Sequence, residues 1–129
     1  MATWADVRRL ALALPETSER LMHGNPSWRV RDALFAWDRP LRAADRAALA
    51  AAAPDGAVLG VRTADLDAKD ALLGQDGAVF FTVPHFQRYA AVLVRLDVVG
   101  SEDLEEVLTD GWLARAPKRL AAAFLDGRA

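Results

Sequence analysis

The chain contains no cysteine in its 129 residues. That removes disulfides, thiolate zinc sites and a cysteine nucleophile together, and it points to a cytoplasmic setting. No apolar run approaches the roughly 20 residues of a membrane-spanning helix, so no membrane partner is expected. The stretch Met1 to Glu16 is amphipathic with acidic Asp6 inside it. It has neither the basic start nor the small-residue cleavage site of a signal peptide. The glycines stand singly, so no glycine-rich loop is offered to phosphate. Ser18, Ser27 and Ser101 are the only serines, and none sits in a nucleophile-elbow pattern. His23 and His85 are the only histidines, and they do not form a paired zinc motif. The acidic runs Asp65-Asp67-Asp70 and Glu102-Asp103-Glu105-Glu106 read as solvated helix starts. The expectation is a non-enzymatic protein with no cofactor and no metal.

What is present suits one globular domain spanning 1–129. The chain is 53% hydrophobic and 26% charged, which excludes global disorder. The net charge of −2 is uneven: residues 1–62 carry nine arginines and seven acids, and residues 63–129 carry seven basic residues and eleven acids. A nucleic-acid binder is more often strongly basic. Any such surface here is therefore a local patch.

Thr3 with Asp6 starts a helix whose apolar face is Trp4, Val7, Leu10, Ala11 and Leu14. Pro15 stops it. Residues 20–23, 27–31 and 34–37 then read as three short antiparallel strands, with turns at Gly24-Asn25-Pro26 and Asp32-Ala33. Residues 42–53 are an alanine-rich helix, and 58–62 the next strand. Asp65 caps a helix to about Leu73, with Leu66, Leu72 and Leu73 as its buried points. Ala78–Val83 and Ala90–Leu96 pair as strands around the hairpin loop Pro84–Tyr89. Ser101 caps a last helical region, broken at Pro117. The order α-β(3)-(α)-β-α-β(2)-α indicates an α+β fold of two layers, an antiparallel sheet with helices on one face. By strand parity Trp28, Val30, Leu59 and Val61 face the helices. Arg29 and Arg31 face the other side, with Arg62 and Arg95 as candidates to join them.

Three stretches in series resemble the MmcQ/YjbR family of small bacterial proteins. They are His23–Arg31 (HGNPSWRVR), Phe81–Phe86 (FTVPHF) leading into Val92–Leu96, and Trp112–Leu120 (WLARAPKRL). The resemblance runs from the first helix to about Phe124. It implies a secretion-chaperone-like α+β fold and a DNA-binding role. Two departures stand out. Ala33 occupies a turn where the family often has a basic residue, and the stretch 39–56 is longer than usual, a source of a different surface.

The candidate binding residues follow. Arg29 and Arg31, with Trp28 nearby, offer cations to phosphate from an open sheet face. Lys118 and Arg119 start a helix, where the dipole disfavours cations and an anion or an ion pair would hold them. His23 and His85 flank proline turns and would share a ligand if their loops converge. Phe86 and Tyr89 sit on the hairpin loop, where aromatic rings stack on bases. The expected partner is DNA. The alternative is a protein or peptide adaptor, with a homodimer among the partners, and the net-acidic balance suits that reading.

Overall fold

The computed structural model describes residues 2–128. Helix α1 (Trp4–Leu12) opens on the capping box read from Thr3 and Asp6. The Thr3 N–H donates to the Asp6 carboxylate at 2.9 Å, and the Asp6 N–H donates back to the Thr3 hydroxyl at 3.3 Å. Three strands follow as an antiparallel meander, β1 (Thr17–Met22), β2 (Asn25–Val30) and β3 (Ala33–Asp38). The β1–β2 turn is His23-Gly24, with φ of 55° and 82°, the left-handed pair that a type I′ hairpin needs. Next come α2 (Ala43–Leu49), a 3₁₀ turn (Ala50–Ala52), β4 (Val58–Arg62), α3 (Leu66–Gln75) and β5 (Phe80–Phe81). A second 3₁₀ turn (Pro84–Phe86), β6 (Ala91–Arg95), α4 (Ser101–Arg115) and α5 (Lys118–Arg128) complete the chain. The six strands form one antiparallel sheet in the order β1-β2-β3-β4-β6-β5. This is the α+β architecture that the element order predicts.

The sheet's first face carries the main core. Val7 and Ala11 of α1 and Leu104, Val107, Leu108 and Trp112 of α4 pack there against Trp28, Val30, Leu59, Val61, Val92 and Val94. Trp28 stacks on Trp4 with ring centroids 6.2 Å apart, and Phe124 of α5 closes over Trp112 at 4.8 Å. The Trp112 indole N–H donates to the Pro15 carbonyl at 3.0 Å, tying α4 to the end of α1. The opposite face is not a bare arginine surface. Trp37, Val58, Phe81, Val83, Phe86, Ala91 and Leu93 form a second, smaller cluster, with Leu41 and Leu49 of the 39–56 stretch packed on it. Arg95 lies on this face as parity predicts, its guanidinium 4.4 Å from the Phe81 ring centroid and donating to the Ala52 carbonyl.

Local details depart from the sequence reading. The strand expected over Ala78–Val83 shrinks to Phe80–Phe81. The Asp76 carbonyl takes the Val79 and Phe80 N–H groups and its carboxylate takes that of Ala78, so these residues close a turn first. Gly100, not Ser101, occupies the N-cap of α4. The β2–β3 turn falls at Arg31-Asp32, so Arg31, with φ 52°, leaves the strand. In α3 the expected anchor Leu66 is 45% exposed, and Lys69 is buried in its place.

Helix α4 crosses the sheet at Gly111. A Cβ there would lie 2.6 Å from Val61 Cγ1 and 3.1 Å from the Arg62 carbonyl oxygen. Alanine in place of glycine gains helix propensity of about 1 kcal/mol. Forcing a methyl into a closed contact costs about 1–3 kcal/mol. Gly111→Ala should therefore lower stability by up to about 2 kcal/mol in urea denaturation, and a variant more stable than wild type would contradict this packing.

Candidate functional site

The residues singled out from sequence separate into two sets. In the first, Trp28 is 1% exposed, and its indole N–H donates to Glu19 at 3.0 Å. Its ring is core and does not reach a ligand. Arg29 is half-buried on the second sheet face, donating to the Asp32 carbonyl at 3.3 Å and contacting Met22 Sδ at 3.7 Å. Arg31 is bound to Glu16, Nε to Oε1 at 2.8 Å, and the bond from Arg31 holds the Glu16 carboxyl below its usual range. The Asp32 carboxylate pairs instead with Arg20 at 2.8 Å. Lys118 and Arg119 stand exposed in the first turn of α5. Helix α5 packs on α4 through Phe124 and Trp112, on the side of the first sheet face, whereas Arg29 lies on the second. The outer face around Arg29 is thus partly apolar, and Arg31 is already paired.

The second set converges. His23, His85, Phe86 and Tyr89 all line one open cavity of about 530 Å³. Its other walls are Met22 and Asn25 of the first hairpin, Leu34 and Trp37 of β3, and Asp38 to Arg42 after β3. The chain's only two histidines and only tyrosine therefore surround a single cavity.

Each wall has a physical reason. Trp37 lies over Gly60 of the neighbouring β4, where a Cβ would come 2.5 Å from Trp37 Cε2, so glycine makes room for the indole. Phe86 meets Trp37 at 6.1 Å, His85 at 4.8 Å and Tyr89 at 5.8 Å between ring centroids. Arg39 is buried with its guanidinium 5.2 Å from the Phe86 ring centroid, and it pairs with Asp45 at 3.0 Å. The same carboxylate accepts the Arg42 N–H at 2.9 Å. Burial pushes the Asp45 carboxyl up, but the Arg42 N–H and the Arg39 charge outweigh it, and the group sits below the ordinary aspartate range. Arg62 crosses the Tyr89 ring at 4.6 Å and donates to its hydroxyl at 2.8 Å.

The charged residues of the wall are Asp38, Arg39 and Arg42. Asp38 contributes to the lining, but it pairs with Leu59, a first-face residue, while its neighbour Trp37 pairs with Gly60 on the second. The Asp38 carboxyl is half-buried, and desolvation raises its pKa. With Arg39 balanced by Asp45, exposed Arg42 is left as a cation at the mouth. Among the described residues no group of three or more His, Cys, Asp or Glu side chains is placed to hold a metal ion. Among them, too, no helix is long and apolar enough to cross a membrane.

The YjbR family model matches residues 12–114. The chain belongs to the YjbR family. That is the family the three sequence stretches resemble. Its similar relatives include the uncharacterized protein Rv2570 of Mycobacterium tuberculosis and the uncharacterized protein Mb2600 of Mycobacterium bovis. Each is 49% identical over 128 residues, covering 97% of this chain and 97% of the relative. Within this YjbR chain the cavity wall from Arg39 to Arg42 comes from the 39–56 stretch.

Sequence reading missed Trp37, Arg39, Leu41 and Arg42 as lining residues. The expectation of a different surface from the 39–56 stretch names none of these residues. Lys69 was missed as well. It is 2% exposed, and its ammonium donates to the carbonyls of Phe86 and of Tyr89, the latter at 2.9 Å. Desolvation lowers its pKa, with only partial compensation from Asp70. This buried cation ties the wall 84–89 to α3. Lys69→Met keeps the apolar stem but removes the charged donor from two carbonyls that retain only the Tyr89 and Ala91 N–H groups, and a hydrogen bond to a charged group contributes about 1.5–3 kcal/mol. The Phe86, Gln87 and Tyr89 amides should then exchange hydrogen about ten-fold faster or more, with the α4-covered strands still protected. Unchanged exchange at these three amides would remove Lys69 from this role.

Proposed function

We propose that this YjbR protein is a non-enzymatic binding domain of the cytoplasm that takes nucleic acid on its cavity face. The observation that carries the reading is the convergence of His23, His85, Phe86 and Tyr89 with Arg42 on one open cavity. Aromatic side chains stack on bases regardless of sequence, and arginine engages phosphate through a planar fork of donors. Few cations are available, so few phosphates are contacted. Affinity is accordingly modest, and it rests on stacking as much as on charge.

A protein or peptide partner is the second reading. It is favoured by the net charge of −2 and by the apolar wall of Met22, Leu34 and Leu41. Here an apolar side chain of the partner occupies the cavity.

Fluorescence anisotropy with labelled single-stranded and duplex DNA separates these readings. Binding is expected at about 50 mM salt, and with the one phosphate contact at Arg42 it should weaken only about three-fold by 200 mM. Arg42→Ala should weaken it more than Arg29→Ala/Arg31→Ala or Lys118→Ala/Arg119→Ala. The reverse ranking would move the site to the arginine face and the α5 start. No binding of either DNA at low salt would overturn the nucleic-acid reading in favour of the protein partner.

A further inference from the structure

We propose that the cavity holds one unstacked nucleobase, its ring against the Phe86–Tyr89 wall and its phosphate at the mouth against Arg42. This rests on the nucleic-acid reading for its strand context, though a free nucleotide presents the same chemistry.

The shape argues for a single ring system. A cavity of about 530 Å³ lies within the range of small-ligand sites, about 300–1,000 Å³. It is concave and walled by β3, the first hairpin turn and the 84–89 loop. A base paired within a duplex presents only its edge in a groove, so it cannot enter such a space. A base that is unpaired or splayed out can.

The chemistry argues for an aromatic ring bearing an anion. The interior is apolar and aromatic, from Leu34, Trp37, Leu41 and Phe86. The mouth is polar, with exposed His23, Arg42, His85 and Tyr89. Two carboxylates lie near this mouth: Asp45 is 3% exposed and bound to Arg39, and Asp38 is a half-buried part of the lining whose pKa desolvation raises.

The walls are also fixed before any ligand arrives. Lys69 and Arg62 hold the 84–89 loop, and Asp45 fixes the Arg39–Arg42 segment. A site whose side chains are already ordered loses less entropy on binding.

The two histidines make the test direct, because their ring protons give two resolvable NMR signals and both report on this cavity. The protein is titrated at fixed pH with a single-stranded oligonucleotide, with its duplex, with a nucleoside monophosphate and with N-acetyltryptophanamide. The strand and the monophosphate should shift both histidine signals and the Tyr89 ring signals, and the duplex should leave them in place at the same concentration. Tyr89→Ala should weaken strand binding about ten-fold, as loss of one stacking partner does. Strand binding that is seen by anisotropy but leaves both histidines unmoved would overturn the inference and leave the nucleic-acid reading standing. Shifts with the monophosphate, with no strand bound, would uphold the cavity's ligand chemistry and overturn the strand context. Shifts with the tryptophan amide alone would replace the nucleobase by an apolar side chain of a protein.

Discussion

The centre of this sheet is apolar on both faces, and that constraint shapes the rest of the molecule. In β4, Leu59 and Val61 point one way and Val58 the other, and in β6 Val92 and Val94 oppose Ala91 and Leu93. Leaving either set in water would forfeit about 25 cal/mol per Å² of apolar surface. The first face is covered by α1 and α4 at full depth. Among the described residues the second is covered by the 39–56 stretch, the 84–89 loop and Met22 of the first hairpin, which leave it partly open. The cavity is the space that this thinner cover leaves.

Thin covers are held by polar anchors rather than by area. Arg39–Asp45 is a buried ion pair, and losing one partner of such a pair typically costs about 3–5 kcal/mol. Among the described residues the Lys69 ammonium is bonded to two backbone carbonyls and to no carboxylate. Both anchors end on segments that wall the cavity, and they explain why charged groups are buried in a chain with ample apolar residues. Their effect is local rigidity at a place where packing alone supplies little.

Features set by neighbouring residues were legible in the sequence. Thr3 and Asp6 lie three apart and cap α1 as expected, and the alternation Trp28-Arg29-Val30 gave the correct inner face. Features set by distant residues were not. Arg31 was placed on the strand because nothing in its identity signals φ 52°, and its partner Glu16 comes from before β1. Trp28 has the pattern of an inner residue, yet nearness to Arg29 in sequence suggested a contact role that its burial removes. In α3, helical spacing favoured Leu66, whereas the carbonyls of a loop 17 and 20 residues away draw Lys69 inward. The cavity joins positions 22–25, 34–42 and 85–89. Only the sheet order, with β6 inserted beside β4, brings them together.

The central claim is that binding occurs at the thinly covered second face, and photo-crosslinking tests it most directly. A single strand carrying 5-iodouracil is irradiated with the wild-type protein, and the modified peptides are sequenced. Crosslinks are predicted at Tyr89, Phe86, His85 or Trp37, on the cavity wall. Crosslinks confined to residues around Arg31 or the Lys118–Arg119 turn, with none on the 84–89 loop, would contradict the account.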